Sequence, residues 1–431
     1  MNFVDTIFAV SSGMPPAAIA VLRISGESAF SAAKALAGSL PSPRQAGVRL
    51  LRDPADGDPL DRALILCFPG PASATGEDIV ELHLHGGRAV VRSVERALDA
   101  MAALRRAEPG EFTRRALANG RIDLTEAEGL GDLLSAETES QRRQALGVAE
   151  GGLRRTIELW TERLLGIAAG IEALLDHGDE ADVASTANVR RLGEAAGTLA
   201  DEIEAVLALP PAERLRDGIR VVLAGPPNAG KSTLINALAG REAAIVSPVA
   251  GTTRDRIEVP LVRDGIAYLF TDTAGLADAT GDAIEEIGIA RAREAMARAD
   301  ILLWLGDESP PPHPSILALY PRCDQVTRAT VPMGRLGVSA ATGEGLPELW
   351  TMLADTAREM LPPEDALSFN QRQHRLASRA AAALRRAAEE ADEVLMAEDL
   401  RAARQAFDAI TGRADVESML DTLFSGFCIG K

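Results

Sequence analysis

Lysine is nearly absent from this 431-residue sequence: Lys34, Lys231 and Lys431 stand against 42 arginines among 45 basic residues. Arginine and lysine bind phosphate and carboxylate differently, so each retained lysine is a candidate for a role that arginine cannot fill. Cysteine is as scarce. Cys67, Cys323 and Cys428 lie far apart with no Cys-x-x-Cys, which excludes a disulfide framework and fits a reducing, cytoplasmic setting. No apolar run reaches the roughly 18 residues of a membrane span, so no transmembrane helix is expected. Met1–Asp5 lacks the basic and apolar regions of a secretory signal. Positive charge is in deficit, 45 basic against 63 acidic residues for a net −18. The surface as a whole should repel nucleic acid, and any such partner must meet a local basic patch.

What is present is ordinary globular composition, 46% hydrophobic and 25% charged, with length for two to four domains of about 100–200 residues each. The first 118 residues read as mixed strand and helix. Ala18–Ile24, Ala63–Phe68 and Ile79–His85 are strand-like, and a helix is expected from about Val90 to Leu104. His83 and His85 alternate with Leu82 and Leu84 and so share a strand face. With no third ligand evident, a structural role is expected of them. From Leu124 the period changes. Leu153, Ile157, Trp160, Leu164, Ile167, Ile171 and Leu174 recur every three or four residues, as on one stripe of a long helix. A second helix follows over about Val189–Leu207. From Gly218 to about Met360 apolar strands alternate with helices, which implies a parallel sheet. After Pro362-Pro363 the chain is helical again, so an α/β domain interrupts a helical one. Pro310–Pro314 reads as a stiff loop.

Gly225-Pro226-Pro227-Asn228-Ala229-Gly230-Lys231-Ser232 matches G-x-x-x-x-G-K-[ST], between a predicted strand (Ile219–Ala224) and a predicted helix (Leu234–Leu238). Glycines let backbone N–H groups converge on phosphate, and the helix N-terminus adds its dipole. Lys231, in a loop expected to be exposed, should reach the β- and γ-phosphates, and Ser232 should hold Mg²⁺. Asp272-Thr273-Ala274-Gly275 closes the strand Tyr268–Thr271, with a carboxylate for the Mg²⁺ side and a glycine amide for the γ-phosphate. Thr253, in Gly251–Asp255, is the candidate second Mg²⁺ hydroxyl, where a switch loop would lie.

These three segments, joined by Ala239–Val246, closely resemble the MnmE (TrmE) family of bacterial tRNA-modification GTPases. The resemblance extends to Leu22–Gly26, Thr75–Asp78, Glu81–Gly87, Pro109–Thr113, Asn119–Leu124, Ala127-Glu128 and Phe427–Lys431. It implies an N-terminal α+β folate-binding and dimerisation domain (1–118). It further implies a helical domain (119–214 and 359–431) interrupted by an inserted Ras-like P-loop G domain (215–358). The implied activity is potassium-stimulated GTP hydrolysis in modification of tRNA. With an FAD-containing partner of the MnmG type, the family installs an aminomethyl or carboxymethylaminomethyl group on C5 of the wobble uridine, using 5-formyltetrahydrofolate or a related folate. A homodimer, joined to that partner in a heterotetramer or larger complex, is implied as well.

Residue by residue, the resemblance puts nucleotide contacts on Asn228, Ala229, Gly230, Lys231, Ser232, Thr233, Ser247, Thr252, Thr253, Asp272, Thr273, Ala274, Gly275, Asp324, Ser339, Ala340 and Ala341. Lys231 and Glu285 are the implied catalytic groups, Glu285 orienting water with Glu286 adjacent. Potassium ligands fall on Asn228, Ser247, Val249 and Thr252. Folate contacts fall on Arg23, Glu81, Arg121 (commonly lysine in the family) and Lys431. Cys428 matches a family cysteine and is either a small buried hydrophobe or a reactive thiol.

One motif departs from the family pattern. In place of the Asn-Lys-x-Asp that reads guanine stands Pro321-Arg322-Cys323-Asp324. Ahead of it, Gly306–Ser315 is too short and too rich in proline for a helical crossover, which usually needs a dozen residues or more, so that helix is expected to be shortened or lost. The altered tetrad keeps two readings open beside each other: a GTP-hydrolysing enzyme, or a nucleotide-binding scaffold with relaxed base specificity. An unrelated P-loop ATPase would not carry the first-domain motifs.

Overall fold

The computed structural model describes residues 5–176, 186–240, 244–245, 258–273, 282–363, 366–413, 420, 423–427 and 429–430. They form two compact units, one of Met1–Gly131, Val148–Glu158 and Asp408–Lys431, the other of Asp132–Gly147 and Leu159–Phe407.

The first unit contains β1 (Thr6–Val10), β2 (Ile19–Ser25), α1 (Ala29–Ala37), β3 (Gly47–Arg52), β4 (Pro59–Phe68), β5 (Ile79–His85), α2 (Arg88–Asp99), β6 (Leu104–Arg106) and α3 (Glu111–Ala118). The sheet runs β3-β4-β5-β2-β1-β6. Strand alternation sends Leu22, Ile24, Val80 and Leu82 to one face, where α1 and α2 bury them. Ile7 and Ala9 point the other way and pack with Ala107 and Phe112 of α3. The helix expected to reach Leu104 stops at Asp99. Leu104–Arg106 instead pairs parallel to β1, Thr6 opposite Leu104. Pairing in the sheet outweighs the helical pattern there, and Arg106 turns back to Asp99 at 2.8 Å.

A buried charge cluster braces this unit. Arg115 of α3 is fully buried. It meets Asp5 at 2.8 Å, Glu77 at 3.2 Å and Glu111 at 3.0 Å. Arg105 joins Asp5 at 2.6 Å and Glu111 Oε2 at 2.8 Å. Glu77 also accepts from Ser25 Oγ at 2.8 Å.

The chain continues through α4 (Leu124–Ser135), α5 (Glu139–Ala149), α6 (Gly152–Asp176), α7 (Thr186–Leu207) and α8 (Ala212–Arg216). All seven stripe residues of α6 are buried. In the second unit Trp160 lies 6.3 Å from the Phe369 ring and 6.1 Å from Phe407. The inserted G domain comprises β7 (Ile219–Ala224), α9 (Lys231–Gly240), β8 (Ala244–Ile245), β9 (Glu258–Arg263), β10 (Ile266–Asp272), α10 (Asp282–Ala297), β11 (Ile301–Trp304), β12 (Ile316–Pro321), β13 (Leu336–Val338) and α11 (Leu346–Met360). Two helices, α12 (Gln371–Glu389) and α13 (Glu393–Thr411), return to the helical domain. Asn370 opens α12 with a capping box to Gln373.

The G-domain sheet runs β13-β12-β11-β7-β10-β9-β8. Its five central and far strands are parallel as expected, but β8 and β9 pair antiparallel at the other edge. The crossover from β11 to β12 has no helix. Arginines hold that loop instead. Arg335 donates to the carbonyls of Gly306, Asp307 (2.9 Å) and Glu308 (2.7 Å). Arg328 pairs with Asp307 and lies 4.0 Å over the Tyr320 ring.

The charge cluster carries a pH signature. Burial alone would raise the Glu111 carboxyl, but hydrogen bonds from Arg105, the Glu108 amide and Arg115 outweigh it and hold it below its usual 4.5. A depressed carboxyl contributes stability that is present above the unfolded value and lost as pH falls through the folded one. Chemical denaturation should therefore show stability falling as pH drops below about 4.5. Glu111→Gln should cost about 1–3 kcal/mol at pH 7 and flatten that acid-side slope. An unchanged slope in the variant would assign it to other carboxylates.

Candidate functional site

β7 ends at Ala224 and delivers the phosphate loop. Gly225 has φ 149°, and a Cβ there would stand 3.1 Å from Gly306 N, so only glycine passes between the two strands. Asn228 at φ 60° and Gly230 at φ 97° complete the turn, and α9 opens at Lys231. Contrary to the expectation of an exposed loop lysine, Lys231 is only 5% exposed. Its Nζ donates to the carbonyls of Gly225 and Pro226, each at 3.0 Å. The ammonium is thus held inside the loop, where an anion would meet it.

The parallel register sets Asp272 opposite Leu223, beside this loop. Ser232 Oγ donates to Asp272 Oδ2. A hydroxyl and a carboxylate oxygen brought together are a donor set suited to a hard cation, so the residues fit Mg²⁺. Thr273 Oγ1 donates to Leu223 O at 2.8 Å and ties the start of the Asp272–Gly275 motif to β7.

Two cavities meet here. One of about 610 Å³ is lined by the loop, Lys231, Ser232 and Thr273, with Ala292, Arg293 and Met296 of α10 and Trp304 of β11. The other, about 200 Å³, is lined by Pro321, Arg322, Asp324, Gln325, Ser339, Ala340 and Ala341. They share Ala229, Gly230, Thr233 and Arg322. The altered tetrad and the Ser339–Ala341 segment therefore form one wall at the ends of β12 and β13, next to the phosphate loop. Arg322 Nη2 donates to the Asn228 carbonyl at 2.6 Å. Asp324 is exposed. Burial pushes the Cys323 thiol up, with Glu344 and Asp324 adding to it.

The first unit holds a second cluster. Arg23 Nε and Nη2 both donate to Glu81 Oε1, at 3.1 and 2.8 Å. The guanidinium stands 5.7 Å over the Phe112 ring. Arg121 Nε donates to Ser73 O at 3.1 Å and Asn119 Nδ2 to Thr75 O at 2.7 Å, so both lie against the loop leading to β5. A paired arginine and carboxylate on a half-buried sheet face fit a ligand with N–H donors and an anionic group. His85 Nδ1 lies 2.7 Å from Asp61 Oδ1.

Ser247, Val249, Thr252, Thr253, Ala274, Gly275, Cys428 and Lys431 lie outside the described residues. Glu285 and Glu286 fall within the backbone of α10, with their side chains outside that set. Met296, Arg293 and Trp304 were not predicted as wall residues. They come from the C-terminal end of a helix and the end of a strand, without a motif around them.

A five-stranded parallel core carrying a phosphate loop, with a base-side wall at the ends of later strands, defines a P-loop nucleotide-binding protein with a Ras-like domain. The comparisons narrow the class. Residues 6–121 match the model for the GTP-binding protein TrmE N-terminus, and residues 124–428 the model for the MnmE helical domain. Proteins named tRNA modification GTPase MnmE are similar along the whole chain. That of Erythrobacter litoralis is 54% identical over 99% of this chain and 100% of its own, and that of Sphingopyxis alaskensis 55% identical over 95% and 100%. That of Novosphingobium aromaticivorans is 52% identical over 99% and 100%. The chain belongs to the MnmE family of tRNA modification GTPases. No helix among the described residues is long and apolar enough to cross a membrane.

Lys231→Ala should weaken nucleotide binding by about 2–3 kcal/mol, roughly 30- to 160-fold, with the far-ultraviolet circular dichroism unchanged. Titration with a fluorescent guanine nucleotide measures this. Unaltered affinity would remove Lys231 from the phosphate site.

Proposed function

We propose that this chain hydrolyses GTP to drive a tRNA-modification reaction. With an FAD-containing partner of the MnmG type, it adds an aminomethyl or carboxymethylaminomethyl group to C5 of the wobble uridine, with a folate supplying the one-carbon unit. The observation that carries this reading is the coexistence, in a chain similar along its length to MnmE proteins, of the Lys231–Ser232–Asp272 phosphate site and the Arg23–Glu81 cluster. We assign the folate and dimerisation role to residues 1–118 and the GTPase role to 215–358, acting as a homodimer in the cytoplasm.

The roles of the chain's own groups follow from their chemistry. The loop amides and the α9 N-terminus cradle the phosphates. Lys231 exchanges the Gly225 and Pro226 carbonyls for β- and γ-phosphate oxygens. Ser232 and Asp272, with Thr253, would hold Mg²⁺, which neutralises charge developing on the phosphates. Asn228 with Ser247, Val249 and Thr252 would hold K⁺. Glu285 orients the attacking water. Glu81 accepts from the folate's ring N–H groups, and Arg23, Arg121 and Lys431 pair with its anionic and carbonyl oxygens. Hydrolysis should be faster in K⁺ than in Na⁺ buffer, and Glu285→Ala should lower kcat far more than it weakens GTP binding. Equal rates in both salts would remove the cation role. If Glu286→Ala shows the loss instead, the water-orienting carboxylate is Glu286.

A second reading, a scaffold of the same complex with relaxed base choice, is favoured by one observation: Asp324 keeps the acceptor pair for guanine N1–H and N2–H₂, but Pro321 has no amide to offer. Comparing hydrolysis of GTP and ATP separates the two. A site whose buried group is stranded by the wrong substrate can discriminate by about 10⁴–10⁵-fold. An exposed carboxylate left unpaired stays solvated and costs less, so the expected preference for GTP is smaller, about 10- to 100-fold. Asp324→Asn should lose GTP affinity and gain xanthosine triphosphate, whose C2 oxygen accepts from the new amide. Unchanged GTP affinity in that variant would show that Asp324 does not read the base.

A further inference from the structure

Glu81 has two carboxylate oxygens, and Arg23 occupies only one. Both guanidinium contacts, Nε at 3.1 Å and Nη2 at 2.8 Å, fall on Oε1. A carboxylate held at one oxygen can still swing its plane, and the direction of the lone pairs on Oε2 is then undefined. Two residues along β5, His83 shares the face of Glu81. The sheet register fixes both. Arg23 sits opposite Glu81, and Val21 and Leu64 flank His83 on either side. His83 Nε2 stands 3.5 Å from Glu81 Oε2. That nitrogen is buried and makes no hydrogen bond.

A buried ring nitrogen without a partner costs about 1–3 kcal/mol. Its neighbours Val21 and Leu64 would accept an apolar side chain without that cost. The distance to Oε2 exceeds a hydrogen bond by a few tenths of an ångström, within reach of a small rotation of either side chain.

We propose that His83 is a positioning residue of the Glu81 site. When ligand loads Glu81, His83 Nε2–H closes on Oε2 and locks the carboxylate plane, leaving the remaining Oε2 lone pair aimed at one ring N–H of the ligand. This rests on the folate reading of Arg23 and Glu81. His83 itself need not touch the ligand.

Calorimetric titration of the full chain with 5-formyltetrahydrofolate tests it. His83→Leu should weaken binding by about 10-fold without lowering the thermal midpoint. His83→Gln, whose amide N–H can reach Oε2, should stay within about 3-fold of the original chain. In a Glu81→Ala background, His83→Leu should have no further effect, because the group it positions is gone. Unweakened binding by His83→Leu, or an equal loss with and without Glu81, overturns the positioning role. Failure of His83→Gln to restore affinity overturns the hydrogen bond as its means. If the unmodified chain binds no folate, the folate reading falls, and this inference with it.

Discussion

Arg115 sets the terms for the N-terminal unit. It is the bulkiest fully buried side chain among the described residues, and a guanidinium cannot shed its charge. Taken from water alone it would cost several kcal/mol, so carboxylates must converge on it. They come from three places far apart in sequence: Asp5 before β1, Glu77 before β5 and Glu111 at the head of α3. Satisfying one side chain thereby fixes a terminus, a loop and a helix together. Thr75–Asp78 and Pro109–Thr113, met in the sequence as family motifs, are parts of this brace. Ser25 bonds both Thr75 and Glu77, so the end of β2 is held as well. The same brace seats Phe112 under the Arg23 guanidinium and Asn119 and Arg121 against the 73–76 loop.

The G domain meets a different constraint. Without a crossover helix, β11 and β12 still pair in parallel, and the loop between them must satisfy its carbonyls some other way. Arg335 supplies several donors in one fixed fork, and Arg328 adds an ion pair and a stack on Tyr320. In a chain with almost no lysine, arginine does this structural work, while Lys231 is turned inward onto the carbonyls of its own loop.

Legibility in the sequence followed the strength of local pattern. Ile79–His85 and Ile219–Ala224 are apolar or alternating runs ended by glycine, and their bounds are plain from the residues alone. The α6 stripe is legible because seven apolar residues hold one period. Leu104–Arg106 is not, since a three-residue strand with two arginines carries no pattern and forms only because β1 offers an edge. The phosphate loop is legible as a motif, but the burial of Lys231 is not, because it depends on two carbonyls curling back over the side chain. Of the Arg115 cluster only the i,i+4 pair with Glu111 is local, and nothing in the sequence marks Asp5 and Glu77 as its neighbours.

The altered tetrad gains a physical meaning from its place. Arg322 has φ 61°, a left-handed conformation uncommon for a side chain of its size. That turn carries its guanidinium from the base-side wall to the Asn228 carbonyl, across the boundary between the two cavities. A guanidinium is planar and can donate to a carbonyl at its rim while offering a face for stacking. Base side and phosphate loop are therefore joined by one residue, at the loop position that itself adopts positive φ. Pro321 has no N–H to offer at this wall. What the tetrad supplies, through Arg322, is a mechanical tie between that wall and the glycine-rich loop at Asn228.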